Sequence, residues 1–567
     1  MRGGAPWADL VFFLMTPFDH LLHHAPIAWR RWHSEAVAEA VRRDVPLAVL
    51  VGDALDAWTT TWLNALHADR EVGELLETAF VPVAAERGDH PGLAALAQQV
   101  LGVVADASGV PCLLILLPGN PPAALGAIPY APVRDAEQRK GVARVLLETA
   151  TAWQQDPEAL RTSAGELHRM LAGLPFVLAG DGRLNPERVL DLAEAQLMGE
   201  VHSLEGGFGS SADGAVALPR WPQPEKLRLL AALAARSDAS PALLTHLERS
   251  LTALAAGGIR DQLGGGFHRA SADADWHTPL YEQRLADQAR LALAFLDGFA
   301  LTGRPLYREI AERALAWAVQ DLDLGDAHWG LGRHAIAGLG DEVRPGAFQN
   351  WSRSACAEVV GSEGAGILAR RFALDDEAGP LAVRGELDER EMRRLPELVA
   401  RLTTARAERS APLLDERCDE GAHGLLLGAL HAACTLPAPE PGLLAARDAL
   451  RARLTATKPT GRAATRALVA LGLAESGETA GATRWIAGLS CEAAAPCDDD
   501  GLVDPPPADA EDTVDGPGCA GALALALVAL RRDGEARSVC TAHSGLLAKA
   551  PAVAPSLCLA LARLQRE

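Results

Sequence analysis

The sequence lacks a Cys-X-X-Cys pair, although it contains nine cysteines. No two of them have the spacing of a zinc site, and most stand alone in alanine- and leucine-rich stretches. Cys491 and Cys497 are the closest pair, which leaves open either free thiols or a bridge within a loop. The cluster His20, His23 and His24 has no carboxylate or cysteine at a suitable spacing. We therefore expect reduced thiols, no metal and no cofactor.

Positive charge is also scarce. Only four residues are lysines, and the formal net charge is −21. An anionic surface repels phosphate groups, so nucleic acid and anionic membrane surfaces are excluded as partners. The apolar run Leu10–Met15 is too short for a signal peptide or a membrane span. These absences predict a cytoplasmic location.

Two domains are expected from 567 residues with 49% hydrophobic content. From Ser34 to about residue 150, continuous apolar runs alternate with amphipathic stretches. This pattern predicts a central sheet with helices on both faces. The predicted strands are 46–51, 80–84, 112–117 and 125–130, and the predicted helices are 34–43, 58–67, 70–79 and 133–153.

Beyond about residue 160 amphipathic helices follow one another without a convincing strand between them. Glycine-rich loops separate these helices. They are EGGFG at 205–209, GGGFHR at 264–269, HWGLGR at 328–333 and DDDGLVD at 498–504. The first three recur at intervals of about 60 residues, which predicts repeated helical hairpins with a shared core and their loops on one rim.

Five motifs of mixed chemistry stand out along the sequence. They are HHAPIAWRRW at 23–32, VPLAVLVGD at 45–53, GVPCLLILLP at 109–118, GGIRDQLGGGFHR at 257–269 and PLYEQRLADQA at 279–289. Together they resemble the spermatogenesis-associated protein 20 family. That family joins a thioredoxin-like domain to an (α/α)6 barrel similar to six-hairpin glycosidases and N-acylglucosamine 2-epimerases. The resemblance covers nearly the whole chain. It implies an α/β plus all-α fold, with a thioredoxin-like domain over residues 1–155 and an (α/α)6 barrel over residues 160–567.

The chain departs from the family at the redox position. The family has Cys-His-Trp-Cys-His after its first long strand, and Asp56, Ala57, Trp58, Thr59 and Thr60 stand there in this chain. Disulfide exchange needs an attacking thiolate and a resolving thiol, which carboxylate and hydroxyl groups cannot replace. We therefore expect a thioredoxin-like domain without redox activity.

Two other residues of this degenerate site have structural interpretations. Pro111, which follows Val110, matches the proline that is cis in thioredoxin folds and can keep its structural role without catalysis. Trp58 is the one residue of the family pattern that this chain retains, and we expect its side chain in the core.

Seven residues of the barrel half match the family in type: Asp261, Gln262, His268, Arg269, Trp276, Glu282 and Asp287. If an activity is retained, Asp261, His268 and Glu282 would be catalytic, and the other four would bind the ligand. However, Leu280, Gln283 and Ala286 replace a family histidine, lysine and tyrosine.

Structural interpretations of the same residues remain open. Asp261 can brace a loop, and Arg269 can pair with Asp273 or Asp275. Glu282 and Asp287 are five residues apart on a predicted helix and would not share a face, so a two-carboxylate glycosidase has no support.

Two hypotheses follow. The favoured one is a protein with a redox-inactive thioredoxin-like domain and a barrel that binds a carbohydrate-like ligand or an unidentified protein partner. The alternative is a sugar isomerase or epimerase, in which His268 and a carboxylate such as Asp261 or Glu282 transfer a proton while Arg269 steadies the substrate.

Overall fold

A computed structural model describes residues 17–22, 25–136, 139–178, 182–209, 216–338, 343–489 and 517–566. The described residues divide into two units, the first ending at Val177 and the second beginning at Leu178. Cys491, Cys497, His23, His24 and the glycine loop at 498–504 lie outside the described residues. None of the described helices is both long enough and apolar enough to cross a membrane.

The described part of the first unit is built on a five-stranded sheet. Its strands are Arg30–Arg31 (β1), Leu47–Gly52 (β2), Val81–Glu86 (β3), Cys112–Leu117 (β4) and Ala123–Pro129 (β5). They lie in the order β1-β3-β2-β4-β5. Strands β1, β3 and β2 are parallel, and β4 and β5 run antiparallel to their neighbours. Strands β2 and β3 are joined through helices, which gives the predicted βαβ connection.

Helices cover both faces of this sheet. They are Pro17–Leu22 (α1), Ser34–Arg43 (α2), Ala57–Ala68 (α3), Arg70–Ala79 (α4), Pro91–Ala105 (α5), Val142–Gln155 (α6) and Pro157–Leu178 (α7). Val49 and Val51 of β2 pack in one layer with α2, α5 and α7, and Ala48 and Leu50 pack in the other with α3, α4 and α6. Because successive strand residues face opposite sides, a sheet covered twice needs apolar residues at every position.

Some features of the first unit differ from the sequence-based expectation. The helix predicted from residue 133 begins at Val142, because a turn precedes it in which Gly141 N–H donates to Asp135 Oδ1 at 2.8 Å. Helix α5 and strand β1 were not predicted. The first unit includes Leu167 and Leu171 of α7 and so extends beyond the boundary predicted between residues 155 and 160.

The second unit contains, in the part that the structure describes, a closed ring of six inner helices. They are Pro224–Ala234 (α9), Leu285–Thr302 (α11), Glu420–Cys434 (α15), Ala463–Glu475 (α17), Cys519–Ala529 (α19) and Pro555–Arg566 (α22). Each of these helices packs against the next one in chain order, and α22 packs against α9. This ring confirms the predicted all-α barrel.

Outer helices pack around this ring. They are Pro186–Gly199 (α8), Pro241–Ala256 (α10), Pro305–Asp321 (α12), Pro441–Ala456 (α16), Thr479–Ile486 (α18) and Asp533–Ala542 (α20). The first three glycine loops each lead from an outer helix toward the start of an inner one. They therefore share the rim formed by the N-terminal ends of the inner helices, as predicted.

Additional elements decorate the barrel. A pair of packed helices, Arg353–Arg371 (α13) and Glu389–Arg406 (α14), is inserted between α12 and α15, and Ser544–Lys549 (α21) is short. Short strands in the connecting segments had no convincing pattern in the sequence. They are Gln283–Arg284 (β6), Asp323–Gly325 (β7), His328–Trp329 (β8), Gly332–Arg333 (β9), Ile336–Ala337 (β10), Arg344–Pro345 (β11) and Leu414–Asp415 (β12).

The crossing of α15 and α17 provides a stability test. A Cβ atom at Gly472 would collide with the carbonyl oxygen of Gly424, whereas one at Gly534 in α20 would meet no atom within 4 Å. Gly472→Ala should lower the free energy of unfolding by about 1–3 kcal/mol, because two backbones must separate. Gly534→Ala, the control, should be neutral or stabilising by up to about 1 kcal/mol. Urea denaturation measures both, and equal stabilities would contradict the close crossing.

Candidate functional site

The degenerate redox position is a closed hydrogen-bonded turn between β2 and α3. Asp56 caps α3 by accepting from the Trp58 N–H at 3.0 Å. The Thr59 hydroxyl donates to Asp56 Oδ2 at 3.3 Å and accepts from the Asp53 N–H at 3.1 Å. Thr59 is fully buried, and Asp56 and Asp53 are nearly so. The two residues at the family's cysteine positions thus satisfy each other and the local backbone.

Trp58 does not lie in the core, so that prediction is wrong. Its side chain is 44% exposed, and its ring packs edge-on against Tyr130 with 5.1 Å between centroids. Trp62, one turn later in α3, is the buried tryptophan and donates its indole N–H to the Ala131 carbonyl at 2.7 Å. The reason is position along the helix: Trp62 packs over the sheet, whereas Trp58, one turn nearer the start of the helix, packs against the exposed Tyr130.

The Val110–Pro111 peptide bond is cis, as the resemblance implies. Cys112 follows it at the start of β4. Its side chain packs in the layer with Val51 and Leu114, on the opposite face of the sheet from α3. Burial raises the pKa of the Cys112 thiol to about 12, so the thiolate is not populated at neutral pH.

The barrel has a cavity of about 340 Å³ at its rim, beside the N-terminal ends of α9, α11 and α22. Its walls include Trp221, Glu225, Arg269, Asp287, Arg290 and Val553. Glu225 lies in the first turn of α9, and Asp287 and Arg290 lie in the first two turns of α11. Arg269 belongs to the GGGFHR loop, so the glycine loop and the inner helices build the wall together.

Alternating charges connect across this wall. The Arg290 guanidinium donates to both carboxylate oxygens of Glu225, at 2.6 and 2.5 Å, and to Asp287 Oδ1 at 3.1 Å. Arg269 pairs with Glu282 at 3.1 Å and lies 3.6 Å from Asp287 Oδ2. We call the series Glu225, Arg290, Asp287, Arg269 and Glu282 the rim ion-pair chain. All its members are buried, so each charge must be stabilised by the oppositely charged side chain next to it.

Three of the predicted site residues belong to the rim ion-pair chain. Arg269 and Asp287 line the cavity, and Glu282 holds Arg269. The sequence left open a pairing of Arg269 with Asp273 or Asp275; in the structure its guanidinium pairs with Glu282 and lies near Asp287. The expectation that Glu282 and Asp287 diverge on one helix is wrong. Glu282 precedes α11, which begins at Leu285, so helical spacing does not separate the two carboxylates.

Asp261 and His268 lie together elsewhere and are not among the residues that line the cavity. His268 is buried, and its Nδ1 lies 2.9 Å from the Tyr281 carbonyl oxygen. Burial lowers the pKa of His268 to about 4, so its imidazole is neutral at neutral pH.

Asp261 accepts from Arg406 Nη1 at 2.6 and 2.8 Å and from the Leu263 N–H at 3.0 Å. Although burial alone would raise the pKa of Asp261, Arg406 and the Gly264 N–H hold it below its ordinary value. This carboxylate therefore braces the glycine loop against α14, which is the structural role left open by the sequence.

Gln262 and Trp276, predicted to bind a ligand, are also buried in the loop framework. The Gln262 amide donates to the Ala255 and Gly257 carbonyls at 3.1 and 3.0 Å. The Trp276 indole donates to the Glu205 carbonyl at 3.0 Å, and the Arg220 guanidinium stacks on its ring at 4.1 Å. Neither Gln262 nor Trp276 is among the cavity-lining residues.

Sequence reasoning missed Trp221, Glu225 and Arg290. Glu225 and Arg290 are buried charged residues, and most other residues of their two helices are apolar. Charged residues within a largely apolar inner helix were the available signal, because such residues need partners when they are buried. Trp221 had no comparable signal.

Comparison with known proteins supports the sequence resemblance. Residues 15–172 match a family model named Thioredox_DsbH and described as a protein of unknown function, DUF255. The human spermatogenesis-associated protein 20 is 29% identical over 309 residues, which covers 53% of this chain and 38% of the human protein. The match thus spans less than two fifths of that relative's length.

Solved structures with similarity include a family 76 glycoside hydrolase, a mannosidase from Bacteroides thetaiotaomicron. It is 10% identical with a TM-score of 0.29, and the match covers 67% of this chain and 98% of the mannosidase. Cellobiose 2-epimerase from Spirochaeta thermophila is 18% identical with a TM-score of 0.22, over 54% and 70% of the two chains. Because these TM-scores are low, the barrel is identified from the packing of its own helices and not from these two structures.

The Asp261–Arg406 pair predicts a pH-dependent stability. Arg406→Ala should lower the free energy of unfolding by about 3–5 kcal/mol at neutral pH, because it leaves a buried carboxylate unpaired. The contribution of the pair is complete above the ordinary Asp pKa of about 3.9 and is lost as the pH falls through the lowered pKa of folded Asp261. Without Arg406, burial raises the pKa of Asp261 in the folded variant above its ordinary value. The difference between wild type and variant should therefore begin to shrink already above about pH 4 and continue to shrink as the pH falls toward the lowered pKa of Asp261 in the wild type.

Arg393→Ala on the same helix is the control for this prediction. Arg393 lies 3.7 Å from Glu389, and both side chains are exposed. This change should alter the unfolding free energy by no more than about 0.5 kcal/mol. Chemical denaturation at a series of pH values measures both variants, and similar effects at positions 406 and 393 would contradict the bracing role.

Proposed function

We propose that this relative of spermatogenesis-associated protein 20 is a binding protein. In this proposal the thioredoxin-like unit carries out no dithiol chemistry, and the barrel cavity takes a small carbohydrate-like ligand. The rim ion-pair chain is the observation that carries the proposal, because four of its five members line the cavity and provide fixed hydrogen-bonding groups whose charges are already compensated.

Binding is favoured over proton transfer by the positions of the residues expected to be catalytic. The isomerase alternative needs His268 and a carboxylate such as Asp261 or Glu282 within reach of the substrate. None of these three residues is among those that line the cavity. Glu282 contacts Arg269 instead, and Asp261 contacts Arg406.

A carbohydrate-like ligand is favoured by the size and chemistry of the cavity. A volume of about 340 Å³ lies at the lower end of typical small-molecule sites. Guanidinium donors and carboxylate acceptors alternate along the wall, as a ring of hydroxyl groups requires. The partly buried Trp221 adds an aromatic surface beside Arg269, with the guanidinium carbon 5.2 Å from the indole ring.

Absence of dithiol chemistry is supported by the turn at Asp56 and Thr59, whose side chains are engaged in the cap of α3. Cys112, Cys356, Cys418, Cys434 and Cys540 are free thiols, as in a reducing compartment. We therefore propose a cytoplasmic protein. With a net charge of −21, nucleic acid and anionic membranes remain excluded as partners in this proposal.

An insulin-reduction assay with dithiothreitol tests the first unit. The protein should give no acceleration over buffer, because no pair of thiols stands at the position that dithiol exchange requires. Cys112→Ser should leave the rate unchanged. Acceleration that disappears in any cysteine-to-serine variant would overturn the proposal for this unit.

A thermal-shift screen with neutral mono- and disaccharides tests the barrel. At least one sugar should raise the melting temperature saturably, because a ligand that binds only the folded state stabilises it. Val553→Trp should abolish the shift, because Val553 lines the cavity and its partly exposed side chain leaves room for the indole to fill the opening.

Leu306→Trp is the matched control for the screen. Leu306 is a similarly exposed apolar residue in α12 and does not line the cavity. This variant should keep the wild-type shift. A screen without any shift, or a shift that survives Val553→Trp, would refute ligand binding in this cavity.

A further inference from the structure

We propose that the cavity selects uncharged polyhydroxyl ligands over phosphorylated, carboxylated and amino sugars, and that Asp287 accepts a hydrogen bond from a ligand hydroxyl. This inference rests on the proposed function and deepens it, because it names the ligand class and the group that recognises it. Two separate observations support it: the charge balance of the wall and an unsatisfied oxygen of Asp287.

The charges around the cavity are already paired. Arg290 is held by Glu225 and Asp287, and Arg269 is held by Glu282 and Asp287. Lys226, which also lines the cavity, pairs with Glu200 at 2.6 Å. The described wall thus has no cation that lacks a nearby carboxylate.

An anionic ligand must therefore compete with buried carboxylates for the two arginines. Drawing Arg269 or Arg290 away would leave one of these carboxylates unpaired, which is strongly unfavourable in a buried site. A cationic ligand meets the converse problem, because the guanidinium groups beside Asp287 repel it. An uncharged ligand avoids both penalties.

Asp287 supplies the second observation. Its Oδ2 atom is buried and has no hydrogen-bond donor among the described residues, and Arg269 Nη1 at 3.6 Å is beyond hydrogen-bond length. The residue is only 7% exposed, yet it lines the cavity. A buried acceptor without a donor is unfavourable, and the terminal torsion of an aspartate is broad. A small rotation can therefore present Oδ2 to a ligand hydroxyl.

Calorimetric titration of the full chain tests this selection. The probes are glucose, mannose and cellobiose, together with glucose 6-phosphate, mannose 6-phosphate and glucosamine. At least one neutral sugar should bind, and its phosphorylated or amino counterpart should bind at least about tenfold more weakly. A counterpart that binds as tightly as the neutral sugar would overturn the inference.

Asp287→Asn is the diagnostic variant. It should weaken neutral-sugar binding, because the amide presents one carbonyl oxygen where the carboxylate presents two. It should also raise the affinity for the sugar phosphate relative to the neutral sugar by about tenfold, since one negative charge beside both arginines is removed. A merely structural role of Asp287 would not change that ratio. Asp191→Asn in α8, which removes a carboxylate paired with Arg236 at an exposed position, should leave both affinities unchanged.

The outcomes separate the two proposals. If no sugar of any charge binds the wild-type protein, the proposed function fails. If neutral sugars bind but Asp287→Asn leaves the affinity ratio unchanged, the inference about Asp287 fails and the proposed function stands. Should Asp287→Asn prevent folding, Glu282→Gln removes another carboxylate from Arg269 and should raise the same ratio. An unchanged ratio in that variant would overturn the inference.

Discussion

The pairing of buried arginines with buried carboxylates at the barrel rim is the constraint on which the site depends. Arg290 in α11 holds Glu225 in α9 and Asp287 in its own helix. A guanidinium in this position cannot shed its charge, so it must keep these partners. The same contacts fix two inner helices at the cavity and hold the two carboxylates in place. The ion pairs of Arg290 therefore determine both how the two inner helices pack at the rim and which polar groups the cavity presents.

The rim loops depend on a second set of polar contacts. Gly207 adopts a positive φ of 75°, and a Cβ there would lie 2.7 Å from the Trp276 ring. Asp261 anchors the following glycine loop to Arg406. Residues that resemble a catalytic set in the sequence thus include several that position the loops. Residues that match the family in type can therefore be retained because they hold the rim loops in place, independently of the ligand that the barrel binds.

Much of the fold was predictable because burial leaves a periodic signal. Strand Cys112–Leu117 and helix Arg70–Ala79 have the bounds predicted for them, because the strand is a continuous apolar run covered on both faces and the helix is amphipathic. Strand Arg30–Arg31 was not predictable, because two residues carry no period and the strand exists only through pairing with β3. Helix Glu389–Arg406 is amphipathic, but nothing local indicates that its last residue reaches Asp261.

The sequence alone determined that no cysteine pair stands after the first long strand, and that a mixed α/β domain precedes a helical barrel. Those features follow from residue identity and from local periodicity. Only the tertiary structure decided that Arg269 and Asp287 line one cavity and that Glu282 pairs with Arg269, while His268 and Asp261 are not among the lining residues. The physical reason is that side-chain pairing depends on how loops and helices cross in space, and one chain position carries no record of a partner far along the sequence.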